Sequence, residues 1–227
     1  MAAMTEGRAQ APRQLALIHT VATLVPVFAE LTQALLPGWE TFNIVDESLL
    51  RNTIRAGALS PLTSRRLAGY VWSAVDAGAD AVMVTCSSVG PAVDAIVPLC
   101  PVRLFRVDEA MADAALAAGR RIGVLATLTT TLQPTLDLIE RRARLQQKEV
   151  ALSHAVCAGA FEHLQRGERD RHDAAIAAEF TRMAPGVDVV VLAQASMARV
   201  VDAMPAGGVT VLSSPRLAVE RLQQVLG

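Results

Sequence analysis

Aromatic side chains make up only 4% of this 227-residue chain, and cysteine is scarcer still, with three in all. The three lie at wide, irregular spacing, which excludes both a disulfide framework and a zinc motif, so no metal is expected. Free thiols place the chain in the cytoplasm. An excess of charge of one sign is also missing: 21 basic residues face 22 acidic ones. That balance argues against nucleic acid or a membrane surface as partner. No apolar run reaches the roughly 18–20 residues that a membrane helix needs. The N-terminal MAAMTEGRAQAPR lacks the apolar core of a signal peptide, and residues 1–12 read as a flexible tail. Neither GxGxxG nor GxxxxGK[ST] occurs, so the common phosphate cradles are excluded.

What the chain has in abundance is small apolar residues, within a hydrophobic share of 52%. Short apolar runs alternate with longer helical patterns. Strands are expected at Gln14–His19, Glu40–Val45, Ala81–Thr85 and Val102–Arg106. A second set is expected at Arg121–Ala126, Glu149–Ser153, Val187–Leu192 and Val209–Leu212. Nearly continuous Val, Leu, Ile and Ala in these runs mark strands buried on both faces. Helical stretches lie between them, at Pro61–Ala77, Thr131–Gln147 and Asp173–Met183. In the last, Ala174, Ile176, Ala177, Phe180 and Met183 share one face. Strand–helix alternation of this kind predicts an α/β protein with parallel sheets covered by helices on both sides.

The two sets of strands are copies. AGADAVMVTCSS (Ala77 to Ser88) recurs as PGVDVVVLAQAS (Pro185 to Ser196), so Gly78, Asp80 and Ser88 match Gly186, Asp188 and Ser196 at an offset of 108. The same offset carries Leu17, Thr23, Leu24 and Pro26 onto Leu125, Thr131, Leu132 and Pro134. It also carries the run at Phe42–Val45 onto Val150–Ser153, and Val102–Phe105 onto Thr210–Ser213. Each half has the size of a small domain, so two similar domains with four strands each are expected, joined closely near Val107–Ala112 with a cleft between them.

In open parallel sheets, ligands bind beyond the carboxyl ends of the strands. That rule selects His19–Thr23, Cys86–Gly90, Thr127–Thr131 and Gln194–Met197. Three of these are rich in hydroxyls, and each leads into an expected helix whose free N–H groups favour an anion. None contains Arg or Lys, which argues against a large phosphate-rich ligand and for a small carboxylate. Cys86 ends a strand and opens a helix, a place that lowers a thiol's pKa; the alternative is a buried core cysteine. Cys100 and Cys157, the latter in an expected helical segment, read as packing residues. His19 closes the first strand, either facing the cleft as a proton donor or bonded to backbone. His172 and Asp173 sit at a helix start, where the plain reading is a solvated histidine and an acid that favours the helix dipole. Gln194, at the place of Cys86 in the second copy, can orient a substrate oxygen but cannot exchange protons near neutral pH. The basic runs Arg141–Arg144 and Arg166–Arg171 read as solvated helix faces.

VMVTCSSVGP resembles the first cysteine motif of the aspartate/glutamate/hydantoin racemase superfamily. VVVLAQASMA resembles the second, written LGCAGMA in the hydantoin racemase branch, and RIGVLATLTTT resembles the Thr-rich turn of the second domain. The resemblance runs from about Gln14 to the C-terminus. It implies two flavodoxin-like domains with the active site between them: residues 13–107 with 214–227, whose last helix crosses back, and residues 108–213. It also implies an isomerase without metal or other cofactor, acting on a small carboxylate or related carbonyl compound, and a homodimer. In that family two cysteines flank the substrate's α-carbon. Here Cys86 is one and Gln194 stands in place of the other. The resemblance therefore implies catalysis by Cys86, with His19 as a second proton carrier. Ser87, Ser88, Thr127, Thr129, Thr130, Gln194, Ala195 and Ser196 would bind substrate. Decarboxylation by one-sided protonation, and binding without turnover, are the alternatives.

Overall fold

The computed structural model describes residues 12–203 and 208–227, so nearly all of the expected tail lies outside the described residues. The first half runs β1 (Arg13–His19), α1 (Leu24–Leu35), β2 (Trp39–Val45), α2 (Glu47–Ala56), α3 (Pro61–Asp76), β3 (Ala81–Val84), α4 (Gly90–Ile96) and β4 (Arg103–Arg106). The second runs α5 (Glu109–Ala118), β5 (Arg121–Ala126), α6 (Thr129–Leu145), β6 (Ala151–Val156), α7 (Ala160–Gln165), α8 (Arg169–Met183), β7 (Val189–Leu192), β8 (Thr210–Ser213) and α9 (Ser214–Leu226). They form two four-stranded sheets, ordered β2-β1-β3-β4 and β6-β5-β7-β8, with every pair parallel. The α/β class and the two matching sheets agree with the reading of the sequence.

Burial sorts the strands. β3 and β7 are buried along their whole length, and β1 and β5 are buried beyond their first residues. The outer strands are not: β2 alternates between exposed and half-buried, and β6 and β8 are partly exposed. Continuous apolar character thus marks a central strand, and an edge strand needs it on one face only. β6 also lies further along the chain than the apolar run at Glu149–Ser153. Its residues Ser153 and His154 are polar because they sit at that edge.

Helix ends follow local chemistry. Asp46 caps α2 through its carboxylate on the Ser48 N–H (2.9 Å), and Gly57 ends the helix in the left-handed region. α6 starts at Thr129, two residues before the expected Thr131, and α8 starts at Arg169, four before Asp173. The final helix packs on the first sheet, and its Leu217 also meets the core of the second. Ala218, Val219, Leu222 and Leu226 of α9 share one apolar cluster with Leu15, Leu17, Ala81 and Met83. Burial of each large side chain there contributes about 1.5–3 kcal/mol.

The duplication is real but its offset is not uniform. Leu15 pairs with Ala81 as Ile122 pairs with Val189, so β3 and β7 are 108 residues apart while β1 and β5 are 107 apart. β4 and β8 are likewise 107 apart, and β2 and β6 are 111 apart. The residue that corresponds to Thr127 is therefore Thr20, and His19 corresponds to Ala126.

Candidate active site

The carboxyl ends of the two sheets meet at Cys86. Its backbone is extended, and a 3-10 turn at Ser87–Val89 follows, leading into α4. The turn aims the N–H groups of Ser88 and Val89 at the sulfur, with the hydroxyls of Thr20 and Ser88 beside it. Burial dominates all the same and pushes the thiol above its ordinary 9.0, while those four groups pull it back. The expectation of a thiol acidified by a helix start is thus corrected. The helix opens with a short 3-10 turn, and desolvation of the charged sulfur outweighs its N–H groups.

Gly90 and Arg106 brace this turn from below. A Cβ on Gly90 would stand 2.4 Å from the Arg106 guanidinium, so the close approach requires glycine. Arg106 is 6% exposed and donates to both oxygens of Asp108 (2.9 Å each), and it also pairs with Asp94. Burial alone would lower its pKa, but Asp108 and then Asp94 hold it above the ordinary value. Arg141 of α6 reaches the same Asp94 at 2.9 Å, so part of the basic run expected to be solvated bridges the halves. Arg142 likewise pairs with Asp113 and Glu109 of α5.

Gln194 follows the end of β7 in the second sheet. Its Oε1 accepts from the Thr127 N–H at 2.5 Å, and its Nε2 donates to the Thr127 hydroxyl at 2.7 Å. Ala195 packs against the apolar cluster of the first sheet, and Ser196 follows it half-buried. Thr129 is exposed at the start of α6. Thr130 is half-buried, with its hydroxyl oxygen buried and without a protein partner. The halves touch directly where the Ser88 and Thr131 hydroxyls meet at 2.7 Å. Ser87, Ser88, Thr127 and Thr131 are each at most 5% exposed. Ser87 and Ser88 adjoin Cys86 after the first sheet, and Thr127, Thr130 and Gln194 lie at strand ends of the second.

His19 is not among them. It continues the row of Leu15 and Leu17 toward α1, stacking on Phe28 at 5.7 Å. Its Nε2 is hydrogen-bonded to Asn43 Oδ1 (2.9 Å) and its Nδ1 to the Thr85 hydroxyl (2.8 Å). With 0% exposure and both nitrogens engaged, it has no free atom for a substrate. Desolvation holds its pKa below the ordinary value, against the pull of Asn43. Thr20, one residue on, faces Cys86 instead. It is 2% exposed, and its hydroxyl has no partner satisfying ordinary hydrogen-bond geometry. The signal for it was the match to Thr127, hidden by the one-residue change of offset. Thr131, which closes the strand-end segment Thr127–Thr131 but was not singled out as a site residue, is the second residue that the reading passed over.

The remaining flagged groups lie elsewhere. His172 is fully buried, not solvated, and its Nδ1 bonds Asp173 (2.8 Å), which Arg199 also holds (2.7 Å). Cys157 follows β6 outside any helix and is buried, and desolvation pushes its pKa up to about 12. Cys100 is half-buried against the first core. Among the described residues no group of three or more His, Cys, Asp or Glu could hold a metal ion, and no helix is long and apolar enough to cross a membrane.

Two parallel four-stranded domains, with a half-buried thiol at the carboxyl end of β3, define a class of two-domain α/β protein. The Asp/Glu/Hydantoin racemase family model matches residues 16–222, and the chain belongs to that family. No curated protein sequence matches it. Among solved structures it is similar to glutamate racemase from Francisella tularensis subsp. tularensis SCHU S4 in complex with D-glutamate. The TM-score is 0.72 at 14% identity, over 95% of this chain and 81% of that one. It is also similar to allantoin racemase from Klebsiella pneumoniae (0.67, 17%, 94% and 87%). An aspartate racemase homologue from Pyrococcus horikoshii OT3 aligns at 0.64 and 16%, over 94% and 98%. At these identities the likeness is one of fold.

Proposed function

We propose that this protein is a cofactor-independent enzyme with isomerase-type chemistry at the α-carbon of a small carboxylate or related carbonyl compound. Cys86 is its acid–base group. The observation that carries the reading is a thiol at the join of the domains beside the buried Thr20 hydroxyl, with the buried Thr130 hydroxyl of the second half also lacking a protein partner. Buried hydroxyls normally have partners, and two without one suit the oxygens of a bound carboxylate or of the enediolate formed from it. The N–H groups of Ser88 and Val89 add donors where negative charge develops. Ser87, Thr127 and Thr129 complete the polar lining, and Ala195 and Ser196 form its wall beside Gln194.

The thiolate removes the α-proton, and the thiol so formed returns a proton to the carbanion from its own face. Gln194 has both polar atoms on Thr127 and no acid–base capacity, so it orients the substrate rather than moving a proton. One thiol facing an amide also favours a second reading, one-sided protonation after decarboxylation. A homodimer in the cytoplasm accompanies either reading. The test is α-proton exchange in deuterated water across a panel of small 2-substituted carboxylates, with Cys86→Ala beside the native protein. Exchange or decarboxylation lost in Cys86→Ala while carboxylate binding persists supports the reading. A native protein that binds such acids and turns over none of them makes it a binding protein instead.

A further inference from the structure

Helix α6 of the second half meets the first at two points about ten residues apart, one on the Cys86 turn and one on α4, which follows it. Near its start, the Thr131 hydroxyl meets the Ser88 hydroxyl at 2.7 Å. Further along, Arg141 meets Asp94 of α4 at 2.9 Å, and Asp94 is the anion shared with Arg106 beneath Gly90. Ser88 is 1% exposed and Thr131 2%, so neither hydroxyl has water as an alternative. The Ser88 hydroxyl also lies beside the Cys86 sulfur.

We infer that Thr131 is a positioning residue for Cys86, acting across the domain join through Ser88. A hydroxyl has one proton to give. If Ser88 donates to Thr131, it has none for the sulfur. If Thr131 donates to Ser88, the Ser88 proton is free to turn to a thiolate. The Thr131 hydroxyl has Ser88 as its only side-chain partner among the described residues, so the second arrangement leaves every proton placed. Charge-assisted bonds of this kind are the stronger ones. Apposition of the two halves thus supplies the proton order that a thiolate needs, and parting them to admit substrate withdraws it.

Other charges around this turn are already engaged. Arg106 is held by Asp108 and Asp94, and Asp94 by Arg141. On the α2 side, Asp46 is held by Arg66 and Tyr70, and Glu47 accepts from the Ala22 N–H. Arg51 and Arg55 of α2 and Asp137 and Glu140 of α6 are exposed. His19 is turned away onto Asn43 and Thr85. None of these charged groups, nor His19, is placed to perform the same task.

The inference rests on the reading of Cys86 as the reactive thiol, but its test needs no substrate. Alkylation of Cys86 by iodoacetamide is followed against pH, with peptide mass spectrometry separating it from Cys100 and Cys157. Thr131→Val, which keeps the shape and removes the hydroxyl, is expected to raise the midpoint and to slow alkylation at pH 8 about fivefold. Thr131→Ser is expected to keep the native profile, and Ser88→Ala to move it at least as far as Thr131→Val. An unchanged midpoint in Thr131→Val, or an equal shift in Thr131→Ser, overturns the relay, and should the valine variant fail to fold, Thr131→Ala, which also removes the hydroxyl, decides by the same readout. A shifted midpoint in a protein that turns over no carboxylate leaves the relay standing and sinks the proposed function alone.

Discussion

The side-chain amide of Gln194 spans both the backbone N–H and the hydroxyl of Thr127, at 2.5 and 2.7 Å. Across the join, Thr20 stands to Cys86 as Thr127 stands to Gln194. The duplicated frame thus keeps a threonine after each first strand and places a thiol beside one and an amide beside the other. Replacing Gln194 with Ala removes both bonds and leaves the half-buried Thr127 N–H without a partner. Chemical denaturation is expected to show a loss of about 1–3 kcal/mol. In an active preparation KM is expected to rise more than kcat falls, since the amide orients and does not transfer protons.

His19 makes stability depend on pH. Its folded-state pKa lies below its ordinary 6.5 because burial disfavours the charged ring. The unfolded chain takes up that proton first as pH falls. The contribution is whole above about pH 6.5 and is lost as pH drops through that value toward the folded pKa. Thermal melts between pH 8 and pH 5 are expected to show the loss, and His19→Gln is expected to flatten it. A slope equally steep in that variant would rule His19 out as its source.

Arg106 is the most consequential buried charge. Its removal as Arg106→Gln leaves Asp108, 0% exposed, without its cation. Breaking such a pair costs about 3–5 kcal/mol. The same change takes away the support beneath Gly90, so Cys86 alkylation at fixed pH is expected to change along with the unfolding midpoint. A loss of stability with an unaltered alkylation rate would show that the thiol turn stands without it.

Asp188 links the start of β5 to β7. Its carboxylate accepts from the Arg120 and Arg121 N–H groups (3.0 and 2.8 Å) and from the Arg121 guanidinium (2.6 Å). The Arg121 side chain, then its N–H, lower the acid's pKa from 3.8 to about 2, against desolvation. Its contribution is present above the unfolded value and lost as pH falls through about 2. Asp188→Asn is expected to be less stable near neutral pH and to lose less than the native protein on acidification. Parallel urea titrations at pH 6 and pH 3 measure the difference.

Much of the site was legible because its residues sit at strand ends. Cys86, Ser87, Ser88, Thr127, Thr130 and Gln194 each follow a central strand whose apolar run is continuous, and such runs announce their own ends. His19 follows such a strand too, yet its side chain turns to the α1 face. Alternation along a strand sends successive residues to opposite sides, and a one-residue error in register exchanges those sides. The same error hid Thr20. Edge strand β6 was misplaced because half-exposed residues carry little apolar signal.

By itself, then, the sequence determined the α/β class, the duplication and the lone thiol at the carboxyl end of β3. These depend on local composition and periodicity, which the chain displays directly. Only the tertiary structure decided that His19 serves the core, that Thr20 borders the thiol and that Thr131 reaches Ser88 from the other half. It also decided that burial outweighs the N–H groups at Cys86. Such outcomes depend on which residues distant in the chain become neighbours and on how much water they exclude, and neither quantity is a property of any single segment.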